Sequence, residues 1–228
     1  MKKLLYKSVD VMKLTKDVIR SQPSDKTIET VITNIVKDIR PTHIAISIPL
    51  DLDISGASPR TVKDFTKKWV DTIHKAGVKV LFRGTFCGIE GIYDFPKNVG
   101  GNRLPKETWI NKIDSYIRGN PELFSDGDIF APLPERTEGI FNDSTAFLPS
   151  TGDGLQANYA NFFNQLFDIE TTAFQSINKK VIVGLTANNW SEINSGWLNQ
   201  SIFDKAKVVA YDHYGINHSP EEMDADLR

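Results

Sequence analysis

The segment Asp128-Ile129-Phe130-Ala131-Pro132-Leu133-Pro134-Glu135 closes a short apolar run on a carboxylate. A carboxyl group at the mouth of a buried strand loses water, which raises its pKa and suits it to general-acid chemistry near neutral pH. The competing reading is a loop glutamate paired with Arg136 or Arg103. A second run ends Ala210-Tyr211-Asp212-His213-Tyr214-Gly215. Consecutive polar and aromatic side chains at a strand end are costly unless they line a wet cavity. His213 and Tyr214 can hydrogen-bond a ligand or orient a carboxylate, or they can satisfy one another beneath a loop.

A third run ends Leu81-Phe82-Arg83-Gly84 and brings a permanent cation to the same region. Arg83 either holds a carboxylate ionised and grips a ligand oxygen, or forms a structural pair with a glutamate inside the fold. Thr186-Ala187-Asn188-Asn189-Trp190 offers amides that match sugar hydroxyls and an indole on which a ring can stack. Asp51 follows the apolar run at 43–48, Glu90 follows the same run as Arg83, and both add binding groups, with Asp212 beside His213. Trp69 and the set Phe162, Phe163, Leu166 and Phe167 sit at helical spacing and read as packing. The four histidines stand at 43, 74, 213 and 218 with no His-x-His pair, so a metal-dependent hydrolase is disfavoured. No lysine ends the last strand run, which argues against Schiff-base chemistry. Neither a metal nor an organic cofactor is expected.

Placing these residues requires a strand–helix rhythm, and the chain has one. Nearly continuous apolar runs at 7–13, 43–48, 78–82, 128–131, 180–185 and 207–211 predict strands buried on both faces. Between them, helical periodicity predicts helices over 25–39, 61–76, 106–118, 155–177 and 196–205. Ser24 can cap the first helix, and Gly77 follows the second where a left-handed residue is wanted. This alternation means parallel strands joined by right-handed crossovers, in a barrel or an open doubly wound sheet. The barrel is favoured because no Gly-x-Gly-x-x-Gly follows the first strand and the polar residues collect after strands. The expected fold is one α/β domain over 1–228, a TIM-type parallel (β/α) barrel holding about six of eight units.

Charge and composition remove other classes. A net charge of −2, with no basic run, disfavours nucleic acid as a partner. The single cysteine, Cys87, excludes an internal disulfide. Lys7, Asp10 and Lys13 interrupt any apolar leader, and no window is long enough to span a membrane. A cytoplasmic protein is the default, with an extracellular one left open.

Glu135 after the fourth strand and Asp212-His213-Tyr214 after the sixth resemble the (β/α)8-barrel glycoside hydrolases that retain anomeric configuration. The resemblance implies that Glu135 is the acid/base, that Tyr214 and His213 orient a nucleophilic glutamate from a seventh strand, and that the substrate is a poly- or oligosaccharide. The chain departs from that pattern at Pro134, where the superfamily usually has Asn. A retaining mechanism needs a second carboxyl group about 5 Å away. With the seventh strand beyond residue 228, the expectation is that this chain alone is inactive and that its open edges promote self-association. The alternative is a non-catalytic carbohydrate-binding or interaction module on a degenerate barrel.

Overall fold

The computed structural model describes residues 6–12, 21–49, 59–85, 106–132, 154–188 and 198–212. In chain order the elements are β1 (Ser8–Met12), α1 (Asp25–Ile39), β2 (His43–Pro49), α2 (Pro59–Lys75), β3 (Lys79–Thr85) and α3 (Lys106–Gly119). They continue with a 3-10 turn (Pro121–Leu123), β4 (Ile129–Pro132), α4 (Gly154–Ser176), β5 (Ile182–Asn188), α5 (Gln200–Lys205) and β6 (Val208–Asp212). The strands pair in sequence order, β1 through β6, and every pair is parallel. A doubly wound sheet reverses its order at a switch point, whereas a barrel wall does not. The sheet is therefore an arc of a parallel α/β barrel, six strands long among the described residues.

Alternation along the strands separates two layers. Ile44, Ile46, Ile48, Val80, Phe82, Phe130, Val183 and Leu185 belong to the large core between sheet and helices. Ile28 and Ile32 of α1, Val62, Phe65, Trp69, Val70 and Ile73 of α2, and Phe163, Leu166 and Phe167 of α4 bury their apolar stripes in it. Burying each such side chain contributes about 2 kcal/mol before entropy is counted. Phe124 anchors an aromatic group, with ring centroids 4.9 Å from Phe82, 5.9 Å from Phe130 and 5.0 Å from Phe174. The opposite face of the sheet carries a smaller cluster of Ala45, Leu81, Ile129 and Ala131, with Ile182 and Val208 against it. That face is the inner wall of the barrel.

Local signals set the helix ends. The Ser24 hydroxyl accepts from the Thr27 amide at 3.2 Å, and Asn199 caps α5 by accepting from Ser201 and Ile202. Gly77, at φ +78°, takes the left-handed turn after α2.

The N-terminal ends of the strands are tied by Asp128, which has no exposed surface. Its carboxylate accepts from the Val80 amide at 2.9 Å, the Ser125 amide at 2.7 Å and His74 Nε2 at 2.9 Å, joining α2, β3 and β4. His43, on the inner wall, places Nε2 3.1 Å from the Gly127 carbonyl and Nδ1 3.0 Å from Thr42 Oγ1.

Most element boundaries differ from the sequence expectation by one or two residues, and the larger differences fall in β3, β5 and the last helix. β3 runs three residues past Phe82, because β2 continues to Pro49 and the two pair to their ends. β5 starts at Ile182 and extends to Asn188, held by its ladder with β6. The last helix is shorter than expected and begins after the Asn199 cap.

Candidate ligand site on the inner wall

The inner wall changes character along the strands. Its middle is apolar at Ala45, Leu81 and Ile129; one residue pair further on, in the direction of the carboxyl ends, stand Ser47, Arg83 and Ala131. Arg83 is in register with Ser47 on one side and Ala131 on the other. Because alternate residues share a face, Asp10, Ser47, Arg83 and Thr186 all lie on this wall.

Arg83 Nη1 donates to Asp10 Oδ2 at 2.8 Å. The pair reaches over β2, since β1 pairs with β2 and β2 with β3. Strands lie about 4.8 Å apart, so a contact between β1 and β3 must span roughly 10 Å. An arginine and an aspartate cover that span only if the strand between presents small side chains, and here it presents Ala45 and Ser47. The side chain of Arg83 is 13% exposed and that of Asp10 29%, so water reaches the pair from the barrel interior. On β5, Thr186 is buried and its hydroxyl has no hydrogen-bond partner. Gly184, on the same face, allows β6 to come close: a β-carbon there would lie 2.5 Å from the Val208 carbonyl oxygen.

Of the residues singled out in the sequence, Arg83 is placed within β3 rather than in the loop after it. One partner is Asp10 of β1, whereas the structural alternative for Arg83 had been a pair with a glutamate. Asn188 and Asp212 form the last register pair of β5 and β6. Glu135, His213, Tyr214, Asn189, Trp190, Asp51 and Glu90 lie outside the described residues. Asp10, Ser47 and Thr186 were missed. Asp10 was legible: it is the charged residue at the centre of Ser8-Val9-Asp10-Val11-Met12, alternating with two valines.

Two other polar features stand apart from this wall. A groove of about 240 Å³ runs between α1 and α2, lined in part by Asp25, Glu29, Lys68 and Lys75. Its charges pair across it, Lys68 to Asp25 at 2.9 Å and Lys75 to Glu29 at 3.9 Å. On α4, Glu170 is fully buried with both carboxylate oxygens unpartnered, and burial pushes its pKa well up. Among the described residues, no three His, Cys, Asp or Glu side chains gather as a metal site, and no helix is long and apolar enough to cross a membrane.

No protein-family model matches the chain, and no curated protein sequence does. Solved structures do match. An exo-β-1,4-mannosidase from Opitutaceae bacterium strain TAV5 superposes with a TM-score of 0.63 at 11% identity, over 90% of this chain and 38% of that one. A β-galactosidase from the psychrophilic Marinomonas ef1 gives 0.57 at 10% identity, over 91% and 40%. A β-mannanase from Thermomonospora fusca gives 0.51 at 9% identity, over 97% and 63%. This chain thus spans between 38% and 63% of the length of these proteins. At such identities the likeness is one of fold, and it places the six strands within a (β/α) barrel.

Proposed function

We propose that the chain is a glycoside hydrolase-type barrel that binds poly- or oligosaccharide at the carboxyl ends of its strands. The observation that carries this reading is the polar turn of the inner wall at Ser47, Arg83 and Thr186, at the end of the barrel where such folds build their sites. The fold it shares with a mannosidase, a galactosidase and a mannanase supports the substrate class.

In this reading Glu135, three residues beyond the end of β4, protonates the leaving glycosidic oxygen and then activates water. Tyr214 and His213, following β6, orient the second carboxylate, which is expected from a seventh strand. Arg83, Asp212 and Asn188 contact the sugar from the strands. Asn189, Trp190, Asp51 and Glu90 contact it from the segments that follow them.

A non-catalytic carbohydrate-binding module is the second reading, favoured by Pro134 in the position before Glu135. The two separate in one experiment on the purified protein, using 4-nitrophenyl β-mannoside, β-galactoside and β-glucoside together with β-1,4-mannotetraose. Turnover that disappears in Glu135→Gln supports the hydrolase. Binding of the tetraose without turnover supports the binding module, and the absence of both overturns the proposal.

A further inference from the structure

Ser125, His74 and Asp128 meet where the end of α2 comes against the turn before β4, at the opposite end of the strands from the polar wall. The Asp128 carboxylate, with no exposed surface, accepts from the Val80 and Ser125 amides and from His74 Nε2 at 2.9 Å. An ionised carboxylate only accepts, so Nε2 carries the proton of the neutral imidazole and Nδ1 keeps its lone pair. Ser125 Oγ lies 3.5 Å from that lone pair. The tie between helix, strand and turn runs through Nε2, and a contact of 3.5 Å adds little to it. The same spacing is within the looser reach that a nucleophile and its base show before substrate binds. The His74 side chain is 22% exposed and Ser125 is half-buried, so the couple meets solvent. A hydroxyl, a base beside it and a buried carboxylate orienting the base are the parts of a serine nucleophile, which is defined by geometry and roles.

We infer that Ser125, with His74 as base and Asp128 as orienter, forms a second site that cleaves carboxylic esters of small acyl groups. Ser125 Oγ bonds to the acyl carbon as its proton passes to His74 Nδ1, and the Asp128 carboxylate stabilises the imidazolium that forms. The bond to the alcohol oxygen then breaks, and that oxygen takes the proton from Nδ1. Water next gives a proton to Nδ1 and attacks the acyl carbon; Oγ leaves, recovers the proton and releases the acid. This site stands independently of the carbohydrate reading of the inner wall.

The test treats the full chain with a fluorophosphonate probe, maps the adduct by peptide mass spectrometry, and follows hydrolysis of 4-nitrophenyl acetate. Wild type should carry the adduct on Ser125. His74→Gln, whose amide still offers Asp128 a donor, should form that adduct about a hundredfold more slowly, the loss expected on removing a general base. Ser125→Ala, which keeps the backbone amide donated to Asp128, should lose the adduct and lower ester hydrolysis to the level of buffer. No adduct on Ser125 in wild type overturns the inference without recourse to any variant. An adduct that forms equally fast in folded His74→Gln overturns it too, because the histidine then serves the fold alone. Should His74→Gln fail to fold by thermal melting, Ser125→Ala decides, and ester hydrolysis that persists in it overturns the inference.

Discussion

At the N-terminal ends of the strands, the carboxylate of Asp128 has no exposed surface and accepts from two backbone amides and a histidine. Toward the carboxyl ends, Asp10 and Arg83 meet one another in contact with water, and the hydroxyl of Thr186 meets no partner. Both regions set polar groups beyond the apolar middle of the inner wall at Ala45, Leu81 and Ile129, yet they do so to different ends. Saturated hydrogen bonding at one end welds helix, strand and turn, because in a low-dielectric interior each amide left without an acceptor costs about 1–3 kcal/mol. Incomplete pairing at the other end is tolerated where water or a ligand can supply the missing partner. The contrast follows the division of labour in barrel folds, with stability at the bottom of the wall and recognition at the top.

The largest effect should come from breaking the bottom. Asp128→Ala strands the Val80 and Ser125 amides and should cost about 3 kcal/mol or more in urea unfolding. Asp128→Asn, which keeps an acceptor for one of them, should cost less.

Glu170 sharpens the comparison from the helix side, since it is buried and both carboxylate oxygens lack a hydrogen-bond partner among the described residues. Its pKa is raised by burial from the ordinary 4.5, so its contribution to stability is full below about 4.5 and declines as pH rises toward the folded value. Glu170→Leu should therefore gain about 2 kcal/mol at pH 7 and flatten that decline, measured by unfolding at pH 5 and pH 7. Thr186→Val removes a hydroxyl without a partner and should stabilise by up to about 1 kcal/mol while weakening saccharide binding. An equal loss to that of Asp128→Ala would erase the distinction between the two ends.

The smallest effect belongs to His43. Burial lowers its pKa from 6.5, so the unfolded chain takes up the proton first as pH falls. Its stabilising contribution is present above pH 6.5 and is lost as pH drops from there toward the folded value. His43→Gln should remove that part of the acid slope in a set of thermal melts between pH 7.5 and pH 5.

Much of this architecture is legible in the residues. Runs such as Ile44-Ala45-Ile46 and Val80-Leu81-Phe82 are apolar on both faces, and only a strand covered on both sides needs that. Strand ends were less legible, because ladder pairing decides them. Arg83 and Gly84 are not strongly strand-forming, but β2 supplies partners for them at Ser47 and Ile48. Asn188 joins β5 for the same reason, opposite Asp212. The Asp10–Arg83 pair was hidden by distance along the chain: neither residue's neighbours announce a contact 73 positions away. What makes it possible is the small Ala45 and Ser47 on the strand between, a pattern that acquires meaning only once the order β1-β2-β3 is known.

The most direct test of the contrast is a backbone and arginine side-chain NMR titration of the full chain with β-1,4-mannotetraose. The account predicts shifts at Ser47, Arg83, Ala131 and Thr186, with Asp128, His74 and His43 unmoved. Perturbations centred on Asp128 and His43, or on the groove between α1 and α2, would contradict it.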